Sequence, residues 1–257
     1  MPQPPRTRWT QEQLLVAFWL YCTERFGRLH ARNPTIIDMA ARIGRTSDAL
    51  AMKACNFASL DPLMVASGRA GLGNVSRDDR ALWAAFAAEP TRVAEAASLA
   101  WARHAALEVT APLFASEPTG GPAPTEATRT VRVRLVQTFF RESLLTSYGA
   151  SCAVTGLAEP ELLVASHILP WATNEQRRAD PRNGLLLNAL LDKAFDRFLI
   201  TFDESHRLLV SPRLRAEGKR ASAILDHEGA VLRMPERFAP DPAALAWHRA
   251  EHFARAA

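Results

Sequence analysis

Apolar residues recur at helical spacing through the first hundred residues. Leu14, Leu15, Phe18 and Trp19 define one face of a helix over Gln13–Arg25, with Thr10 placed as its N-cap. Asn33-Pro34 opens a second helix, whose stripe is Ile36, Ile37, Met39, Ala40 and Ile43, and Gly44 ends it. Arg45-Thr46-Ser47-Asp48 opens a third, with Leu50, Met52, Ala54 and Phe57 available to a core. The pattern lapses from Ala111 to Thr130, where Pro, Gly, Thr and Ser collect as in a mobile linker. It resumes as a helix over Val131–Leu145, with Val136, Phe139, Phe140 and Leu144 inward. The period then shortens. Leu162–His167 alternates as a strand, Trp171–Arg182 is a loop that turns at Asp180-Pro181, and Gly184–Leu187 is a second strand. A helix of about ten residues follows, ending near Phe198. Leu199–Phe202 and Leu208–Val210 flank a turn at Asp203-Glu204-Ser205 and predict a hairpin, and Pro235–Pro242 is a loop before a final helix.

Chemistry concentrates where the period changes. His167 ends the first predicted strand and Asn183 stands before the second. The ordered blocks Cys152-Ala153-Val154-Thr155-Gly156, Ser166-His167-Ile168-Leu169-Pro170-Trp171, Asp180-Pro181-Arg182-Asn183-Gly184-Leu185 and Ala194-Phe195-Asp196 resemble the HNH (ββα-metal) endonucleases, in particular a bacterial branch of them. A lone His–Asn pair is weak evidence; four blocks in order are strong. The resemblance implies phosphodiester hydrolysis, with His167 as general base, a role that suits an imidazole of ordinary pKa near 6.5. It implies that Asn183 orients the imidazole or fixes the loop that carries it. It also implies one divalent cation (Mg²⁺, Mn²⁺ or Ni²⁺) acting as Lewis acid at the scissile phosphate.

The chain departs from that family at two positions. The family places a metal-binding histidine on the helix eight residues after the asparagine, and that count reaches Leu191. By the same resemblance, an imidazole at that position is expected to face the space before His167. Asp180, Asp192, Asp196 and Asp203 lie nearby, and Asn188, Asp192 and Asp196 are spaced to share a helix face. Asp192 and Asp196 are the candidate metal ligands, being hard oxygen donors suited to Mg²⁺ or Mn²⁺; the competing reading is the solvated face of an amphipathic helix. The second departure is Phe198, where the family carries a glycine suited to a left-handed helix cap. If the helix instead continues, Leu191 and Phe198 share an apolar face.

Toward the N-terminus, helix, glycine turn and a helix opened by Arg-Thr-Ser outline a helix-turn-helix. The segment from Trp9 to Lys53 also resembles Myb/SANT-like modules and the region joined to HNH domains of this branch. Arg45, Thr46, Ser47 and Lys53 are then candidate DNA contacts, with Arg45 and Lys53 expected at the surface. The competing reading is a plain helical bundle with Thr46 as a cap. Arg177, Arg178 and Arg182 are candidates for a phosphate-binding lip, or else a solvated loop. His30, His104, His206 and His227 read as solvated or loop residues. His248 and His252 have metal-ligand spacing on the last helix, but without the HExxH order no zinc site is expected. Trp171 and Cys152 read as packing residues.

Composition changes this picture little. With 257 residues, 48 % hydrophobic, the chain can bury a sizeable core. No apolar run reaches the roughly 18 residues of a membrane span, and the first residues lack a secretory apolar region. Cys22, Cys55 and Cys152 form no CxxC pair and read as reduced thiols of a cytoplasmic protein. A formal charge of +4 permits a nucleic-acid partner without requiring one. The expectation is a mostly helical α+β protein: a helix-turn-helix-like domain over 1–108, a linker over 109–130, and an HNH nuclease domain flanked by helices over 131–257. Its expected activity is metal-dependent cleavage of DNA, with restriction or phage defence by association only. The alternative is a catalytically silent HNH scaffold that binds DNA. The expected partner is DNA, with no membrane; a homodimer is left open.

Overall fold

The computed structural model describes residues 8–69, 73–105 and 126–256. Most of the stretch read as a linker lies outside these residues, although its last part already belongs to a helix that begins at Glu126. The fold is α+β and mostly helical, with two small antiparallel sheets among the described residues.

Among the described residues six α-helices form the N-terminal bundle: α1 (Gln11–Thr23), α2 (Pro34–Arg42), α3 (Ser47–Ala58), α4 (Pro62–Ala66), α5 (Arg77–Ala88) and α6 (Pro90–His104). Their starts follow local chemistry. Thr10 and Gln13 make a reciprocal capping box on α1, Asn33 caps α2, and Thr46 caps α3 through the Ala49 amide. Gly44 takes a left-handed φ of 68° between α2 and α3, a conformation cheap only for glycine. Two residues assigned to the apolar stripes do not enter the core: Ile37 and Met52 are about half exposed. Helical spacing marks a face but not its width, and both sit at its margin.

Helix α7 (Glu126–Ser147) joins the halves. Val136 and Phe139 pack in the N-terminal core, whereas Phe140 and Leu144 pack in a second core behind the sheets. The second core is built on β1 (Leu163–His167) and β2 (Gly184–Asn188), followed by α8 (Ala189–Asp196). These strands pair antiparallel with His167 opposite Gly184. Strands β3 (Ile200–Phe202) and β4 (Leu208–Val210) form the expected hairpin, and short helices α9 (Pro212–Arg215) and α10 (Ser222–Leu225) precede α11 (Pro242–Ala256). Before α11 the chain returns to the N-terminal bundle. There Arg237 is fully buried, donates to the carbonyls of Tyr21 and Glu24, and lies over the Tyr21 ring. Asp61 accepts from the Tyr21 hydroxyl and the Phe238 amide at the same place.

Candidate active site

Antiparallel pairing sets His167 at the open end of β1, and α7 supplies the surface behind it. The Phe140 ring stacks on the imidazole, with centroids 3.9 Å apart and planes 14° from parallel, while Trp171 meets it edge-on at 5.5 Å. This fit depends on Gly184. A Cβ there would lie 2.6 Å from a Leu144 methyl carbon and 2.7 Å from the Phe140 ring. His167 Nε2 sits 2.9 Å from the Arg178 carbonyl. A carbonyl oxygen only accepts, so Nε2 carries the proton and Nδ1 keeps a lone pair in the neutral ring. Burial lowers the His167 pKa from its ordinary value, against the opposing pulls of the Arg178 carbonyl and the Asp196 charge. The result is a neutral, oriented imidazole near pH 7.

Asn183 secures the loop that provides that carbonyl. It is 1 % exposed, accepts from the Leu169 amide at 2.8 Å, and donates to the Leu169 and Arg177 carbonyls. Its own backbone carbonyl accepts from the Ile168 amide at 2.9 Å. Of the two roles expected of Asn183, fixing the loop is the one its contacts support; its side chain bonds the loop backbone rather than the imidazole.

One turn apart on α8, Asp192 and Asp196 line the same cavity as His167, a space of about 500 Å³ also bordered by Ser166, Trp171, Lys193, Arg197 and Arg255. Burial raises the Asp192 carboxyl above the usual range, and the Asp196 charge adds to this; the Ser166 hydroxyl and Lys193 act the other way. The Ser166 hydroxyl is buried without a close hydrogen-bond partner among the described residues, so its influence on Asp192 is that of a nearby dipole. Two repelling carboxylates beside an unsatisfied hydroxyl suit a hard divalent cation that keeps much of its water. Among the described residues no three His, Cys, Asp or Glu side chains form a ready-made metal cage.

Leu191 occupies a different face of α8. It is 0 % exposed and packs in the second core with Leu187 and Phe195. The expectation that a histidine at 191 would face His167 is therefore corrected: position 192, not 191, borders the cavity. The helix ends at Asp196, and Phe198 takes a left-handed φ of 57° where the sequence left a longer helix open. For a non-glycine residue this costs about 1–2 kcal/mol. The ring is held by stacking on His248, with centroids 4.7 Å apart, and by Arg255 lying 3.8 Å over it. His248 bonds Thr201 Oγ1 and the Phe195 carbonyl, and His252 bonds the Phe198 carbonyl, so both buried histidines support the turn.

The basic candidates are placed differently from expectation. Lys53 is 8 % exposed rather than at the surface, because its ammonium pairs with the fully buried Asp79 at 3.0 Å. A buried cation persists only when paired in this way. Arg45 is half-buried, lies over the Trp9 ring, and donates to Gln13 Oε1 and the Arg8 carbonyl. Thr46 is exposed as the α3 cap, and Ser47 is half-buried. Arg177 pairs with Asp180 and Asp241, Arg182 with Asp180, and Arg178 with Glu175 and the Trp171 ring. These three arginines brace the loop around His167, so an open phosphate-binding lip is not what their contacts make. Sequence reasoning missed Phe140 and Ser166 as parts of the site, and Arg197 and Arg255 at its border. Ser166 stood beside His167 in the motif, whereas Phe140 had no signal beyond its place on an apolar helix face.

Two antiparallel strands and a helix, with a histidine oriented on the first strand and an asparagine locking the connection, make a ββα arrangement. Residues 152–203 match the family described as HNH endonuclease. Over those residues the chain is similar to the HNH endonucleases, which points to a nuclease or DNA-binding function. No curated protein matches the chain. No helix among the described residues is long and apolar enough to cross a membrane.

Proposed function

We propose that the protein is a divalent-metal-dependent DNA endonuclease in which His167 is the general base. The observation that carries this reading is the neutral imidazole, fixed by the Arg178 carbonyl and the Phe140 ring, opening on the same cavity as Asp192 and Asp196. Asp192 and Asp196 would hold a hard cation such as Mg²⁺ or Mn²⁺, which when bound supplies Lewis-acid stabilisation of charge on the phosphate and leaving oxygen. His167 Nδ1 takes the proton from the attacking water as the new P–O bond forms and the bond to the leaving oxygen breaks. Asn183 and the arginine-braced loop act through His167, keeping its tautomer and angle. A role in restriction or phage defence would follow from such an activity.

A second reading, a silent scaffold that binds DNA, draws on Leu191 being part of the apolar core. Plasmid nicking by the purified chain across Mg²⁺, Mn²⁺, Ni²⁺ and EDTA separates the two. The enzyme cuts with a divalent ion and not in EDTA, and Asp192→Asn abolishes cutting. Binding without cutting in every ion leaves the scaffold.

A further inference from the structure

The cavity before His167 continues into a second one of about 550 Å³, and the two share Arg197 and Arg255 as common walls. The second cavity is lined by Arg213, Glu217, Ser211, Phe198 and His252 besides. Charge is sorted along this groove. The carboxylates Asp192 and Asp196 stand at the end beside His167, whereas Arg197, Arg255 and Arg213 line the second cavity, in which Glu217 is the one acidic lining residue.

The cations differ from those elsewhere in the domain. Arg177, Arg178 and Arg182 are engaged by acids. Arg197 and Arg213 are exposed and make no side-chain hydrogen bond or ion pair among the described residues. Arg255 is steered rather than neutralised: it lies over the Phe198 ring at 3.8 Å, and its partner Glu251 is a neighbour on its own helix at 3.3 Å. That ring belongs to the residue at the left-handed turn, Phe198. A cation over an aromatic face keeps its charge and N–H groups for another acceptor.

We infer that this groove is the track of the DNA strand flanking the scissile phosphate, with Arg197, Arg213 and Arg255 as backbone contacts and Phe198 as the platform that positions Arg255. The inference rests on the nuclease reading above and deepens it: the strand's anionic backbone is the occupant that fits a row of three guanidiniums leading from the reacting end, two of them without an acid partner among the described residues. It also moves the main DNA-contacting surface from the N-terminal helices, where Lys53 and Arg45 are engaged internally, to the junction of α8, α9 and α11.

The test is fluorescence anisotropy of the full chain on a labelled DNA duplex in EDTA, repeated over a salt series. Each phosphate contact contributes about 0.9 to the slope of log affinity against log salt. The double variant Arg197→Ala/Arg213→Ala should bind at least about tenfold more weakly near 100 mM salt and lose about 1.8 from the slope. Arg255→Ala should lose about 0.9. Thermal unfolding of the double variant should match wild type, because neither side chain is engaged in the fold; it therefore carries the test even if Arg255→Ala fails to fold. A wild type that binds and cuts, paired with a double variant of unchanged slope, overturns the groove and leaves the nuclease reading standing. A wild type that neither binds nor cuts DNA in any ion overturns both.

Discussion

Leu191→His separates the motif from the geometry. Counting along the family pattern makes it a repair, whereas its place in the fold makes it damage. The leucine is fully buried beside Leu187 and Phe195, and its backbone amide is engaged by Asn188 Oδ1 at 2.9 Å. An imidazole there forfeits part of the roughly 2–5 kcal/mol associated with a buried leucine side chain. It also buries a ring N–H, which costs about 1–3 kcal/mol when unpaired. The sum expected is about 3 kcal/mol, enough to shift a urea midpoint by on the order of 1–2 M at constant slope. Cleavage should not increase, because the helix face that borders the cavity carries Asp192 and Asp196. Urea unfolding followed by circular dichroism, with plasmid nicking in Mn²⁺ on the same preparation, reads both quantities. A variant as stable as wild type that cuts faster would show that position 191 reaches the metal and would refute the assignment of faces on α8.

Gly184→Ala should be costly for a residue without a side chain. Its Cβ would overlap Leu144 and Phe140, so about 1–3 kcal/mol of overpacking is expected, with slower cleavage as the Phe140 platform shifts under His167. Unchanged thermal stability and nicking rate would contradict it. Acid should destabilise the fold between about pH 6.5 and 4. Burial lowers the His248 pKa to about 4, so in that window the unfolded chain takes up a proton that the folded chain refuses. The loss reaches about 3 kcal/mol for this group, is absent above pH 6.5 and levels off below 4. His252 and His167, also lowered by burial, add in the same direction. A flat urea midpoint across that window would count against the buried, neutral state of these rings.

Local rules carried the reading furthest where local chemistry decides. The caps at Thr10, Asn33 and Thr46, the inward face of α7, the two strands around His167 and the hairpin after α8 all follow from residue type and period. Some boundaries moved by a residue, as at Leu163 instead of Leu162, but α7 begins at Glu126, five residues before the expected Val131. Long-range pairing was the illegible part. Whether a lysine or arginine is free depends on acids far away in sequence, and Asp79 for Lys53 or Asp241 for Arg177 leaves no trace near the cation it neutralises. The same holds for Arg237, whose acceptors lie at the end of α1 and just beyond it. At the site, the histidine and asparagine were visible in their motifs, but the stacking ring came from α7 and the cationic groove from α8, α9 and α11. Leu191 shows the reverse hazard. A count along a motif gives a position, whereas only the helix phase gives the face it serves.

The most direct measurement is the single-turnover rate of plasmid nicking by His167→Ala against wild type in Mn²⁺, with DNA affinity measured on the same preparations. His167 acting as general base predicts a rate lower by a factor of about 10²–10⁴ at unchanged affinity. Equal rates in the two proteins would contradict it.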